Sequence, residues 1–384
     1  MNDWPNGWYR DEPGQRGAGQ VPSAGAGGGR GAWPQQPPAG RAPAPPPTRR
    51  PGLGGRGTGR RRFWGQPGRR GRRIALIAGA VVLVLVLALV TSYFYLDSKL
   101  NRSVALPASS AQSAGQNWLI TGSDSRQGLS RQQIDTLHVG QDSGTENSDS
   151  IMLLHMGGGR PVLISIPRDS YVPIPGHGTN KINAALGFGG PTLLIQTVEN
   201  VTGLNISHYM GIGFGGLVSV VNTVGGVNMC LPAALHDYDS GVNLPAGCHT
   251  LDGAQALAFV RDRHSFADED LQRIEDQRAF LRALLNKATS PGVYLNPFTA
   301  LPFGSTAASS MSVDQGTHLY NLGQAALALR NPQTGTVPIA NASYPTTNAG
   351  DAVLWDQTEA LQLFNALKNN QQVPASLLRG TTVG

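Results

Sequence analysis

Residues 117–126, NWLITGSDSR, and residues 150–169, SIMLLHMGGGRPVLISIPRD, form the stretch whose pattern decides the fold. Asn117-Trp118-Leu119-Ile120 reads as a strand that breaks into Thr121-Gly122-Ser123-Asp124-Ser125-Arg126. Ser150 to Met156 and Pro161 to Ile166 read as the next two strands, the second ending at Pro167-Arg168-Asp169. The polar, Gly-rich sequence between the first two, up to Asn147, predicts a long loop. Working outward, Leu193 to Thr202 and Phe214 to Thr223 carry helical patterns. Strands alternating with helices predict an α/β domain, layered α-β-α around a central mixed sheet. Ligands in such sheets sit beyond the carboxyl ends of strands, where Asp124, Arg126, Arg168 and Asp169 fall.

Further along lies residues 251–285, LDGAQALAFVRDRHSFADEDLQRIEDQRAFLRALL. From Asp270 onward, Leu271, Ile274, Leu281, Leu284 and Leu285 recur at helical spacing, which predicts an amphipathic helix. Arg273 and Gln277 are four apart and share a face. Arg261 and Arg263 share a face if the apolar run Ala256 to Val260 is a strand. Converging guanidinium forks suit a phosphate or diphosphate. The same spacing also serves a solvated helix with i,i+4 ion pairs such as Glu269–Arg273. Asp124 and Asp149, each beside a strand end, could hold magnesium together with phosphate oxygens, or could simply be turn and capping residues.

The net charge of +6 belongs to one end of the chain. Residues 1–73 hold fourteen Arg and no Lys against Asp3, Asp11 and Glu12, an excess of +11 that leaves −5 for the remainder. This balance does not indicate a globular nucleic-acid-binding domain. The tail is rich in Gly, Pro, Gln and Arg and predicts a disordered segment. Residues 74–96, IALIAGAVVLVLVLALVTSYFYL, carry no charge and at about 1.5 Å per residue span roughly 34 Å as a helix, enough for a bilayer core. Arg69 to Arg73 precede this run and Tyr93, Phe94 and Tyr95 end it, so the positive-inside rule puts the tail in the cytoplasm and the rest outside a cell membrane crossed once. Residues 97–116 read as a polar stalk, 117–372 as the extracellular domain and 373–384 as a flexible terminus. Cys230 and Cys248 fall on the exported side, where a disulfide is permitted. Toward the end, Val313 to Leu329 and Leu354 to Lys368 read as helices and Val337 to Tyr344 as extended.

Gly122-Ser123-Asp124-Ser125-Arg126, Ser148-Asp149-Ser150, Ser165-Ile166-Pro167-Arg168-Asp169, Lys181-Ile182-Asn183-Ala184-Ala185 and Thr197-Val198-Glu199-Asn200 follow one another in an order that resembles the motifs of the LytR-CpsA-Psr family. Val224-Gly225-Gly226-Val227, Arg261-x-Arg263 and Asp270-x-x-Arg273-x-x-x-Gln277 extend the resemblance to about Leu285. It implies a membrane-anchored phosphotransferase that moves a glycopolymer phosphate from a polyprenyl-diphosphate carrier to peptidoglycan, with magnesium. By position, Asp124 and Asp149 would hold the metal. Arg126, Arg168, Lys181, Arg261, Arg263, Arg273 and Gln277 would bind the diphosphate. Asp270 is the residue the resemblance offers as acid or base, beside Asp124, Asp149 and Arg261 as catalytic groups. Asn147, Ser207 and Asp276 depart from residues common in the family.

No Gly-x-x-x-x-Gly-Lys loop, Gly-x-Ser-x-Gly elbow or His-Glu-x-x-His pair occurs, so P-loop nucleotide hydrolysis, serine esterase and zincin chemistry have no support. Two other classes stay open: a non-catalytic polyprenyl-phosphate-binding protein, and a cell-envelope transcriptional attenuator acting through the tail.

Overall fold

The computed structural model describes residues 69–109, 111–126, 129–140, 148–262 and 269–378. Residues 1–68, Asn147, Arg263 and residues 379–384 therefore lie outside the described residues. The described residues from 85 onward belong to one compact unit, whereas the described residues 69–84 belong to another. Helix α1 (Arg69–Asp97) begins in the smaller unit and matches the apolar run. It is exposed along nearly its whole length and is long and apolar enough to cross a membrane.

The larger unit is built on a seven-stranded sheet. Its strands are β1 (Asn101–Val104), β2 (Gln116–Ser123), β3 (Ser148–Met156) and β4 (Val162–Ile166), with later contributions from β7, β12 and β13. Between β2 and β3 sits a short helix, α2 (Arg131–Thr136), whose N-terminus Ser130 and Gln133 close as a capping box. After β4 come the hairpin β5 (Tyr171–Ile174) and β6 (Gly178–Lys181), then α3 (Ala184–Thr202), β7 (His208–Ile212) and α4 (Phe214–Thr223). A disulfide-bearing region follows: β8 (Val227–Leu231), β9 (Leu235–Asp237), β10 (Val242–Leu244) and β11 (Gly247–Leu251). The chain then runs through α5 (Gly253–Arg261), α6 (Glu269–Ala288), α7 (Pro291–Tyr294), α8 (Pro297–Ser310), β12 (Met311–Asp314), α9 (Leu319–Ala328) and β13 (Gln333–Thr336). It closes with β14 (Ile339–Thr346), β15 (Gly350–Trp355), α10 (Gln357–Lys368) and α11 (Ala375–Leu378).

The sheet order is β1-β12-β7-β2-β3-β4-β13. β2 runs parallel to β7 and β4 parallel to β13, while β3 is antiparallel to both β2 and β4. The carboxyl ends of β2, β4, β7 and β13 consequently lie at one end of the sheet, together with the start of β3. All five residues of β4 are buried, the mark of a strand covered on both faces. On one face Trp118, Ile120, Met152, Leu154 and Leu163 pack with Ala325 and Leu329 of the α9 region and with Leu281 and Leu285 of α6. By alternation His155 points to the other face, where it meets Asn117 Oδ1 at 2.8 Å and Asn370, just past α10, at 3.3 Å. Helices therefore cover both faces of a mixed sheet, as the alternating pattern predicts.

Several expectations change. The run Ala256–Val260 is helical, not a strand, because Asp252 and Gln255 form a capping box that starts α5. Gly253 lets α5 approach α4, since a Cβ there would stand 2.5 Å from the Val218 carbonyl oxygen. The segment read as a stalk contributes β1, an edge strand of the sheet. Residues 373–378 are not a loose terminus: they include α11, Leu377 is buried, and Leu378 lies against Gly335. Val313 to Leu329 divides into the end of β12 and α9, and Leu354 to Lys368 into the end of β15 and α10. Cys230 and Cys248 are directly opposed on β8 and β11 and are bonded to each other.

Candidate active site

Two clusters of charge stand at the end of the sheet where β2, β4, β7 and β13 finish. The first begins where β2 breaks at Asp124. Arg126, half-buried two residues on, donates from Nη2 to the Val139 carbonyl at 2.6 Å and from Nε to those of Val139 and Gly140 at 3.1 and 3.2 Å. Its Nη1 reaches the Asp124 carbonyl at 3.3 Å, which folds the Asp124–Arg126 turn onto itself. The Ser125 carbonyl accepts the Phe214 N–H at 3.1 Å, so the turn is also tied to the start of α4.

Arg261 arrives from the last turn of α5, a helix end whose dipole favours a cation. Its Nη1 and Nη2 donate to the carbonyls of Leu137 and His138 at 3.4 and 3.2 Å, and its guanidinium stands 5.2 Å over the Phe214 ring. Arg126 and Arg261 thus grip the same short segment, residues 137–140. Leu137 and Val139 anchor that segment in an apolar cluster with Phe214 and Leu257. Gln277 is buried on α6 and donates to the Val260 carbonyl at 3.1 Å, one residue before Arg261. Its place in the fold is to hold the end of α5.

The second cluster follows β4. Asp169 receives Arg168 Nε at 3.3 Å on one carboxylate oxygen and Lys181 Nζ at 3.1 Å on the other. The β5–β6 hairpin returns Lys181 to this point, and its register is fixed by Tyr171 opposite Lys181 and by the Ile182 N–H donating to the Ser170 carbonyl. Two strand spacings separate β2 from β4, or roughly 10 Å. The backbone of Asp149, on β3, lies between them: Ser150 pairs with Gly122 and Ser148 with Ser123, across a register shift.

Arg126 and Arg261 are therefore brought together on residues 137–140, with the Asp124 backbone beside Arg126, and Arg168 and Lys181 form a second group at the same end of the sheet. Asp270 and Arg273 lie on α6; their side chains, with that of Asp149, are outside what is described, as is Arg263 altogether. Sequence reading assigned no role to Asp169 as the bridge between two cations. Its position after a strand was legible, but its second partner is supplied only by the hairpin. Arg278, one residue past Gln277 on α6, serves the sheet instead. It donates to Ser165 Oγ at 2.9 Å, to Thr336 Oγ1 at 2.7 Å and to the Gly335 carbonyl, fastening α6 across β4 and β13. Burial pushes its guanidinium down to about 10, against an opposing pull from Glu275.

A carboxylate turn, guanidinium forks and a Lys at one sheet end can bind and orient a phosphorylated ligand. The model of the LytR_cpsA_psr family matches residues 92–369. The probable cell wall biosynthesis protein LcpB of Corynebacterium glutamicum is 47% identical over 315 residues, covering 79% of this chain and 75% of that protein. The polyisoprenyl-teichoic acid–peptidoglycan teichoic acid transferase TagU of Enterococcus faecalis is 31% identical over 225 residues, covering 58% of this chain and 73% of that protein. The solved LytR-Csp2A-Psr enzyme from Actinomyces oris superposes with a TM-score of 0.54 over 70% of this chain and 96% of its own, and at 21% identity it speaks to the fold. With most of its length matched by the family model, this chain belongs to the LytR-CpsA-Psr family.

Proposed function

We propose that this chain is a membrane-anchored phosphotransferase of cell-wall assembly, which moves a glycopolymer phosphate from a polyprenyl-diphosphate carrier onto peptidoglycan. The observation that carries the reading is the convergence of Arg126 and Arg261 on residues 137–140, beside the turn that carries Asp124 at the end of β2, within a chain of this family. The names borne by the related LcpB and TagU proteins, cell wall biosynthesis and teichoic acid transfer to peptidoglycan, point the same way. The positive-inside rule favours residues 1–68 in the cytoplasm and the domain outside, with α1 crossing the membrane once.

In this reaction an acceptor hydroxyl oxygen forms a bond to the phosphorus nearest the polymer. The bond from that phosphorus to the bridging oxygen breaks, and polyprenyl phosphate leaves. Positioning and charge stabilisation supply most of the catalysis of such a step. Arg126 and Arg261 would exchange the carbonyls of residues 137–140 for phosphoryl oxygens, and Arg168 and Lys181 would hold the distal phosphate. Asp270 is our candidate to receive the hydroxyl proton. Asp124 follows β2 and Asp149 lies at the start of the adjoining β3, and their carboxylates would supply the hard oxygens that magnesium takes, the ion then neutralising charge on the phosphoryl oxygens. The test uses the full chain in liposomes with magnesium, a lipid-diphosphate glycan labelled at the proximal phosphate, and peptidoglycan. Label covalently joined to peptidoglycan is expected. Label released to water, or retained in unaltered donor, would refute the assignment.

A further inference from the structure

Residues 288–313 contain no Asp, Glu, Lys, Arg or His. Within them α7 and α8 form a corner that is well tied to the domain. Asn296 Oδ1 accepts the Phe298 N–H at 3.0 Å, Thr299 Oγ1 donates to the Val293 carbonyl at 2.9 Å, and Val293 is buried in the core beneath, where Phe303 and Ala307 pack. Yet the corner turns large apolar side chains outward: Phe298 is 87% exposed and Leu295 70%, with Leu301 also exposed. A fixed corner that displays such residues without a charge beside them has the makings of a contact surface.

What it faces is indicated by its neighbour. Gly304 lies against Leu96 in the last turn of α1, close enough that a Cβ there would stand 3.0 Å from Leu96 Cδ1. Gly304 lies six positions along α8 from Phe298, about 9 Å along the axis. The other elements around the end of α1 carry exposed aromatic rings. Tyr95 has Lys99 Nζ 5.2 Å from its ring, and Tyr320 stacks on His318 at the start of α9. Asp97 holds that start in place: its carboxylate accepts the Leu319 N–H at 2.8 Å and pairs with Arg102 at 2.6 Å. Exposed tyrosine rings about the end of α1, with a lysine ammonium over one of them, are the composition of a membrane–water interface.

We propose that the α7–α8 corner, through Leu295, Phe298 and Leu301, inserts into the interfacial layer of the leaflet from which α1 emerges. The occupant is lipid rather than protein because the surface is continuous with the end of the span. The corner itself lacks cations, so the contact does not depend on anionic headgroups. The inference rests on the reading of α1 as a membrane span. Such a contact would hold the domain against the leaflet that carries a lipid-linked donor.

The chain's two cysteines are bonded to each other, so a single introduced thiol can be labelled selectively. Full-length Phe298→Cys is placed in nanodiscs of zwitterionic lipid, spin-labelled, and its collision rates with oxygen and with a water-soluble nickel chelate are compared. Leu87→Cys, within α1, reports lipid. Tyr238→Cys, at a side chain 92% exposed on another part of the domain, reports water. The label at Phe298 should favour oxygen over the chelate several-fold, as at Leu87, with the reverse at Tyr238. A Phe298 label that behaves like Tyr238, or one shielded from both reagents as in a protein–protein contact, overturns the proposal. Chelate access at Leu87 would instead overturn the reading of α1.

Discussion

Replacing Arg278 with Met removes the fastening of α6 to the sheet while keeping a side chain of similar reach. The guanidinium makes three hydrogen bonds, to Ser165 Oγ, Thr336 Oγ1 and the Gly335 carbonyl. At about 2 kcal/mol for each bond from a charged donor, their loss costs about 6 kcal/mol. These per-bond values are already net of the cost of burying the guanidinium, which lowers its pKa to about 10. A destabilisation of about 6 kcal/mol lowers the melting temperature of a domain of this size by roughly 12–24 °C. Thermal unfolding of the full chain in detergent, followed by the fluorescence of the buried Trp118 and Trp355, measures it. Arg282→Met, at an exposed site on the same helix, should change little. Arg278→Met melting within about 2 °C of the parent would mean that these bonds contribute nothing net, and the reasoning would fail.

Replacing both Cys230 and Cys248 with Ser opens a loop with a sequence separation of 18 and should cost about 3 kcal/mol on the chain-entropy model, read from denaturant midpoints without reductant. Burial raises the Glu199 carboxyl above its ordinary 4.5, against lowering hydrogen bonds from the Ile206 N–H and Ser109. The folded state therefore holds its proton longer than the unfolded chain, and this group's contribution declines as pH rises from about 4.5 through the folded value. Glu199→Gln keeps an acceptor for Ile206, so melting curves across pH should show the variant gaining on the parent as pH rises, with no gain below pH 4. Asp97→Ala removes the carboxylate that caps α9 and should cost about 1 kcal/mol, seen as faster amide exchange in residues 319–322.

Strands β2, β3 and β4 were legible at 117–120, 150–156 and 161–166 because apolar runs end at polar, Gly- or Pro-containing breaks, and α1 and α4 because their patterns are uninterrupted. The end of the sheet at which Asp124 and Arg168 would sit followed from strand direction alone. Other features needed tertiary information. Ala256–Val260 is too short and too uniformly apolar for periodicity to separate helix from strand, and its Asp252 cap was the overlooked local signal. β1 is four residues of mixed polarity whose pairing with β12 spans two hundred residues. Arg126 and Arg261 share residues 137–140, and Asp169 joins Arg168 to Lys181, only after β2, α5 and the β5–β6 hairpin are in place. Arg278 lies one residue past Gln277 in sequence, yet a 100° step around α6 turns it toward the sheet.

Glycopolymer transfer to peptidoglycan by the full chain in liposomes, compared for Asp124→Asn, Arg261→Gln and the exposed control Arg282→Gln, tests the assignment of the site most directly. Loss of one preorganised electrostatic partner should slow the first two by about 100-fold or more, with the control near the parent rate. Transfer by both site variants within about twofold of the parent, with their folding intact, would contradict a phosphoryl-transfer site at this end of the sheet.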